Sequence, residues 1–318
     1  MRLVFMGTPD YAAKSLEALI AAGHEILLAV TQPDKAKGRS GELVPTPVKI
    51  VASEHGIPVF QPERIKRPEA VEVLRKLDAE IFVVAAFGQI LSQEILDMPK
   101  YGCLNVHASL LPKYRGASPI QRVILEGEEK TGITIMQMDA GIDTGDILYQ
   151  KEIPIEDTDD FESLSGKLEI LGGVAIVEAI DLLTEGKLIP RKQDDSLSCY
   201  APLISKEMGR LNFQQPAVKL DRQIRAMTPW PSAFTKWNGK QLKIWKATPL
   251  SDGKSKAKPG QVAEVTKDFF SVQTGEGVLC IQELQLEGKK RMSAHDFLLG
   301  AALKPGDFLG EGTADGKH

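Results

Sequence analysis

Ile81-Phe82-Val83-Val84-Ala85-Ala86 is apolar at every position. A strand with one face in water alternates apolar and polar side chains, so an unbroken apolar run marks a strand covered on both faces. Such strands belong to parallel sheets wrapped by helices. Leu3-Val4-Phe5-Met6 is a second run of this kind and Ile26–Val30 a third, while Pro58-Val59-Phe60 is a shorter one. Between the first runs, Tyr11, Ser15, Leu16, Leu19 and Ile20 recur at helical spacing. The alternation predicts an α/β fold with a doubly wound, mostly parallel, Rossmann-like sheet. Further strands are expected over Thr131–Met138 and Ile147–Ile155, and a long amphipathic helix over Phe161–Leu183. Sheets of this type bind ligands beyond the carboxyl ends of their strands, so the residues just after each run are the ones to watch. Gly7-Thr8-Pro9-Asp10 follows the first run without matching G-x-G-x-x-G, which gives dinucleotide binding little support. Gly7 reads as a turn residue.

The pattern changes near Leu188. Residues 189–205, with Ile189-Pro190-Arg191-Lys192-Gln193 and a polar run behind it, read as a linker between a catalytic domain at 1–188 and a second domain at 206–309. The second domain opens with a helix over Pro216–Met227. Short alternating segments follow, punctuated by Asn238-Gly239, Ser251-Asp252-Gly253 and Pro259-Gly260. They predict a small OB-like β-barrel. Residues 310–318 read as a disordered tail.

The chain has 318 residues, 42% of them hydrophobic and 26% charged, as in ordinary globular proteins. Its three cysteines, Cys103, Cys199 and Cys280, are far apart and form no C-x-x-C pair. This argues for reduced thiols in a cytoplasmic protein and against a structural zinc site. No apolar stretch is long enough to span a membrane, and the short N-terminal run stops at Gly7. The formal net charge is −4, but it is unevenly placed: Lys206–His318 holds 18 Lys and Arg against 12 Asp and Glu. A second domain at +6 beside a first part at −10 can offer a basic face to a polyanion.

Two stretches carry chemistry. In Cys103-Leu104-Asn105-Val106-His107, the amide and the imidazole share one strand face and end at a Pro- and Gly-bounded loop. An Asn side chain can donate to a developing oxyanion, and a His can exchange a proton near neutral pH. In Asp139-Ala140-Gly141-Ile142-Asp143-Thr144-Gly145-Asp146, three carboxylates and two glycines suggest a loop bent around a ligand. Asp143 could orient a histidine or move a proton; taken alone it reads more readily as part of an Asx turn.

Asn105-Val-His107, Ser109-Leu-Leu-Pro-Lys-Tyr-Arg-Gly-Ala-Ser-Pro-Ile-Gln121 and Asp139-Ala-Gly-Ile-Asp143-Thr-Gly-Asp together resemble the formyltransferase family that uses 10-formyltetrahydrofolate. The likeness extends to Phe5-Met-Gly-Thr-Pro, Thr31-Gln-Pro-Asp34, Pro45-Thr-Pro-Val-Lys49, Pro58-Val-Phe-Gln-Pro62, Ala85-Ala-Phe-Gly-Gln-Ile-Leu91 and Arg225-Ala-Met-Thr-Pro-Trp-Pro231. It covers essentially the whole chain and is strongest for members that formylate methionyl-initiator tRNA. The resemblance implies that Asn105, His107 and Asp143 form the catalytic set. Asn105 and protonated His107 would hold the oxyanion, with Asp143 keeping His107 charged. It implies a folate site at Phe87, Gly88, Gln89, Ile90, Leu91, Ser109, Leu110, Leu111, Pro112 and Asp139. It further implies that Lys35, Lys37 and Arg39, in the loop Thr31–Val48, meet the acceptor end of the tRNA, with Glu42 offsetting some of that charge. A monomer that needs no metal and no membrane is expected. Two other readings remain open here: transfer to a small amine such as glycinamide ribonucleotide or an amino sugar, and a non-enzymatic RNA-binding module.

Overall fold

The structure, a computed structural model, describes residues 1–37, 41–250 and 256–310. Arg39, the turn at Ser251-Asp252-Gly253 and the tail beyond Gly310 lie outside them. The chain divides into two compact units. The first comprises Met1–Pro119, Glu129–Ile155 and Leu164–Pro202; the second comprises Ile120–Glu128, Glu156–Ser163 and Leu203–His318.

The first unit begins with β1 (Arg2–Gly7), α1 (Asp10–Ala21), β2 (Glu25–Val30), β3 (Lys35–Lys37), β4 (Glu42–Val44), α2 (Pro47–Glu54), β5 (Val59–Phe60), α3 (Pro68–Arg75), β6 (Ile81–Ala85), α4 (Gln93–Leu96), β7 (Cys103–His107) and β8 (Arg115–Gly116). The chain continues through α5 (Pro119–Glu126), β9 (Lys130–Gln137), β10 (Ile147–Pro154), α6 (Phe161–Thr184) and β11 (Tyr200–Ala201). Seven strands form one sheet in the order β10-β9-β7-β6-β1-β2-β5. The five from β7 to β5 run parallel, while β9 and β10 are antiparallel to their neighbours. The continuous apolar runs behave as their composition requires: Leu3 to Met6 and Ile81 to Ala85 are buried throughout. From β1 the chain winds to one side through β2 and β5, then crosses to β6 on the other side. The strand order therefore reverses between β1 and β6, where Gly7 pairs with Ala85. A cleft opens there in sheets of this kind.

Gly7 is not a turn glycine. A Cβ on it would sit 2.5 Å from the Ala12 methyl and 2.9 Å from the Ala85 carbonyl oxygen, so close packing of α1 against the strand end excludes any side chain. Gly173 on α6 plays the same part, with its missing Cβ 2.9 Å from Ala18 of α1. Within the loop Thr31–Val48, β3 and β4 pair as an antiparallel ribbon. Its root is tied by Asp34, whose two carboxylate oxygens meet Lys49 Nζ at 2.5 Å and Gln61 Nε2 at 2.7 Å. The Lys49 ammonium, then the Gln61 amide, hold that carboxyl below its ordinary range.

The second unit contains α7 (Ala217–Met227), β12 (Ala233–Trp237), β13 (Lys240–Leu250), β14 (Val262–Val265), β15 (Phe270–Gln273), β16 (Val278–Leu286), β17 (Met292–Ser293) and α8 (Ala294–Gly300). The strands pair antiparallel in the order β12-β13-β16-β15-β14, with β17 on β16. β16 runs unbroken over Val278–Leu286, and β13 passes through two register shifts that let it bend. Neither β12 nor β14 ends the sheet bare. Residues 306–310 lie between them, bonded to Gly260 and Val262 on one side and, through Gly310, to Lys236 on the other. Leu220, Ile224, Phe270, Leu279 and Leu309 fill the enclosed core.

Candidate active site

Strand β7 emerges from the sheet beside β6 and delivers Asn105 and His107 to its carboxyl end. What lies beneath them is inert. Burial pushes the Cys103 thiol up to about 12, so it stays protonated at neutral pH. The fully buried Tyr11 hydroxyl, also raised by burial, donates to the Val106 carbonyl at 3.3 Å.

The loop after β9 brings Asp143 to the same place. Asn105 Nδ2 donates to Asp143 Oδ1 at 3.3 Å, and His107 Nδ1 lies 3.6 Å from Asp143 Oδ2. Gly116 N donates to that same Oδ2 at 2.8 Å. On the far side of the imidazole, Nε2 lies 3.0 Å from the Tyr114 carbonyl. A carbonyl and a carboxylate only accept, so both ring nitrogens donate when the ring is an imidazolium. The two contacts are unequal. Nε2 is in a full hydrogen bond, whereas 3.6 Å is an ion-pair distance, so in the imidazolium form Nδ1 is the nitrogen with a proton to offer. The Asn105 amide also has one N–H in hand: among the described residues only Asp143 engages it. Two donors and one carboxylate thus converge at a strand end, the equipment for stabilising an oxyanion and accepting a proton.

Asp143 keeps its position through a tight loop. Its φ of +52° lies in the left-handed region that disfavours residues with a Cβ. Asp139 Oδ1 closes the turn by accepting Gly141 N at 2.9 Å and Thr144 Oγ1 at 2.7 Å. Gly145 passes against the backbone of Gln137, and a Cβ there would overlap the Gln137 carbonyl oxygen. Gln193 Nε2 donates to the carbonyls of Asp143 and Gly145, at 2.8 and 2.7 Å.

The other candidate residues fall into separate groups. After β6, Phe87 and Leu91 are packed into the core. The Gln89 side chain is spent on the backbone of Ile65 and Pro62. Gly88, with φ +81°, and Ile90 are left exposed at the edge of the cleft. Ser109 is fully buried, its hydroxyl donating to Lys113 O at 2.7 Å, and Leu111 is buried beside Met136. Leu110 and Pro112 are half-buried. Asp139 is exposed and occupied within its own loop. Lys35 and Lys37 stand on β3, and Lys35 is exposed.

Tyr114, Gly116 and Gln193 are not among the candidate site residues of the sequence, yet each holds a member of the trio. The first two act through backbone atoms, which leave no trace in residue type. Gln193 falls in the segment read as a linker, but residues 189–202 of that segment are bound into the first unit. Arg191 and Ile147 exchange two backbone hydrogen bonds of 2.8 Å, and β11 pairs with β8.

Residues 1–180, which hold most of the first unit, match the Formyl transferase family. Residues 203–302 match the C-terminal domain of the same family. This chain belongs to the formyl transferase family. It is 49% identical over 310 residues to a methionyl-tRNA formyltransferase of Geobacter metallireducens, covering 98% of this chain and 99% of that one. A protein of the same name from Lachnospira eligens is 49% identical over 316 residues, covering 98% of this chain and all of the relative. Among solved structures, the fold is shared with an N-formyltransferase of Helicobacter canadensis in complex with folinic acid and dTDP-3-aminofucose. The TM-score is 0.66 at 22% identity, over 91% of this chain and 99% of that one. It is also shared with HypX of Aquifex aeolicus in complex with tetrahydrofolic acid, with a TM-score of 0.63 at 18% identity over 94% of this chain and 47% of that one. The α/β unit followed by an antiparallel β unit is thus the formyl transferase architecture. No helix among the described residues is long and apolar enough to cross a membrane.

Proposed function

We propose that this formyl transferase moves the formyl group of 10-formyltetrahydrofolate onto the α-amino group of methionine carried by initiator tRNA. The products are N-formylmethionyl-tRNA and tetrahydrofolate, made in the cytoplasm for translation initiation. The observation that carries the reading is near-half identity, along both units, to relatives named for this reaction. The grouping of Asn105, His107 and Asp143 supports it with chemistry.

The folate substrate supplies an electrophilic formyl carbon. The residues after β6 suit a flat heterocycle: Phe87 and Leu91 anchor the segment in the core, leaving Gly88 and Ile90 exposed beside the strand end. Asp139 and Ser109–Pro112 complete the proposed folate site. In the transfer, Asp143 takes the proton shed by the attacking amine. The free Asn105 N–H and the His107 Nδ1 proton meet the carbonyl oxygen as it gains charge. The bond from the formyl carbon to the folate nitrogen then breaks, and that nitrogen takes up the proton that Asp143 received from the amine. On the acceptor side, Lys35, Lys37 and Arg39 reach the tRNA end, and the basic stretch Lys206–His318 meets its phosphates.

The test supplies labelled 10-formyltetrahydrofolate with charged initiator tRNA, glycinamide ribonucleotide or an amino sugar. Label is expected on the methionyl-tRNA. Transfer to a small amine with none to the tRNA would overturn the reading.

A further inference from the structure

Residues 191–201 form a strap across the site within the first unit. Arg191 bonds to Ile147, Tyr200 and Ala201 pair with Arg115 and Gly116, and the Cys199 carbonyl accepts Arg115 N at 2.9 Å. The strap thereby braces the segment whose Tyr114 carbonyl and Gly116 N–H hold His107 and Asp143.

One strap side chain reaches Asp143 itself. Gln193 Nε2 donates to Asp143 O and to Gly145 O, closing the turn from outside. Its orientation is fixed, because Gln193 Oε1 accepts Arg115 Nε at 3.0 Å. A flipped amide would set its oxygen against two carbonyls and its NH2 against a guanidinium. Arg115 is held in turn by Asp195 at 2.7 Å. The clamp acts on a residue whose φ of +52° is unfavourable for a side chain, so something must hold the turn closed. If Asp143 relaxes toward an ordinary backbone, its carboxylate leaves Gly116 N and His107 Nδ1 together.

We infer that Gln193 is a positioning residue for this reaction: its amide locks the left-handed turn that aims Asp143 at His107 and Asn105. The inference rests on the proposed catalytic role of Asp143. It also makes the strap that leads into the second unit a part of the active site.

The test compares Gln193→Glu and Gln193→Ala in the full chain. Glutamate keeps the size and the Arg115 contact but has no N–H to donate. Both variants should lose about 10²-fold in kcat, the scale of a misplaced catalytic group. KM for folate and for charged tRNA should stay within about twofold of the parent, since a rigid positioning error spares binding. The NMR signal of the His107 ring proton, read in the free enzyme at fixed pH, should shift in both variants. A brace of the fold alone would lower folate affinity and thermal stability together and leave that signal in place. Full turnover in Gln193→Glu, or an unmoved His107 signal, overturns the inference. A parent that does not formylate methionyl-tRNA would instead sink the proposed function, while the NMR comparison still reads the clamp.

Discussion

Asn105→Ala separates binding from transition-state stabilisation in one substitution. Among the described residues the amide makes a single bond, to Asp143 Oδ1 at 3.3 Å. That is long against the usual ~2.9 Å of an N–H···O bond, so its loss should cost the fold no more than about 1 kcal/mol. Asp143 stays anchored by Gly116 N at 2.8 Å and by Gln193. The spare N–H matters only when the formyl oxygen becomes an oxyanion. Removing one such donor costs ~2.7–4 kcal/mol at the transition state, or roughly 10²–10³ in kcat. The catalytic loss should therefore exceed the stability loss several-fold. Steady-state kinetics with charged initiator tRNA, folate titration and a thermal melt give the three quantities. Asn105→Asp sharpens the comparison, because a second carboxylate would face both Asp143 and the developing negative charge. It should be worse than alanine. If Asn105→Ala raises the folate dissociation constant and leaves kcat alone, Asn105 is a binding residue and the oxyanion argument fails.

His107→Ala and Asp143→Ala should each lower turnover by at least about 10²-fold, the scale of a general acid or base; near-full activity in either, by the same assay, removes that residue from the chemistry. Gly145→Ala should cost both stability and kcat, because the new methyl must displace the Gln137 carbonyl and with it the Asp143 turn; an unchanged melt and rate would show the turn to be compliant. Glu178 lies outside the site and gives a pH prediction. Lys151, at 2.7 and 2.9 Å, and the Tyr149 hydroxyl, at 2.7 Å, hold its carboxyl below the ordinary 4.5, and the Tyr149 phenol is pushed up to about 12. A depressed folded pKa adds stability that is complete above the ordinary value and lost as pH falls through the folded one. Glu178→Gln should thus melt lower than the parent near pH 7, and the gap should close in acid; a gap that widens in acid would reverse the assignment.

The sequence exposes the parts of this molecule whose residue types do the explaining. Unbroken apolar runs identify β1 and β6, and strict alternation puts Asn105 and His107 on one face. Gly7 shows where residue type is ambiguous: glycine serves both for a turn and for close packing, and only the Ala12 methyl decides between them. Phe87 and Leu91 belong to a motif associated with folate, yet the same apolar character places them in the core. The supports of the trio are hidden for another reason. Tyr114 and Gly116 contribute main-chain atoms, and Gln193 acts across 50 residues from a polar run that looks like a tether. Contacts of that separation are set by the folded path, not by local pattern.

The row of bonds from residues 306–310 to Gly260, Val262 and Lys236 also dictates a timetable for synthesis. Translation delivers β12 and β14 long before the segment that joins their free edges. Until those last residues leave the ribosome exit tunnel, the nascent second unit carries two open sheet edges, each able to recruit a neighbouring chain. Shortening the C-terminus to Leu303 would leave both edges open and should raise the chain's tendency to aggregate.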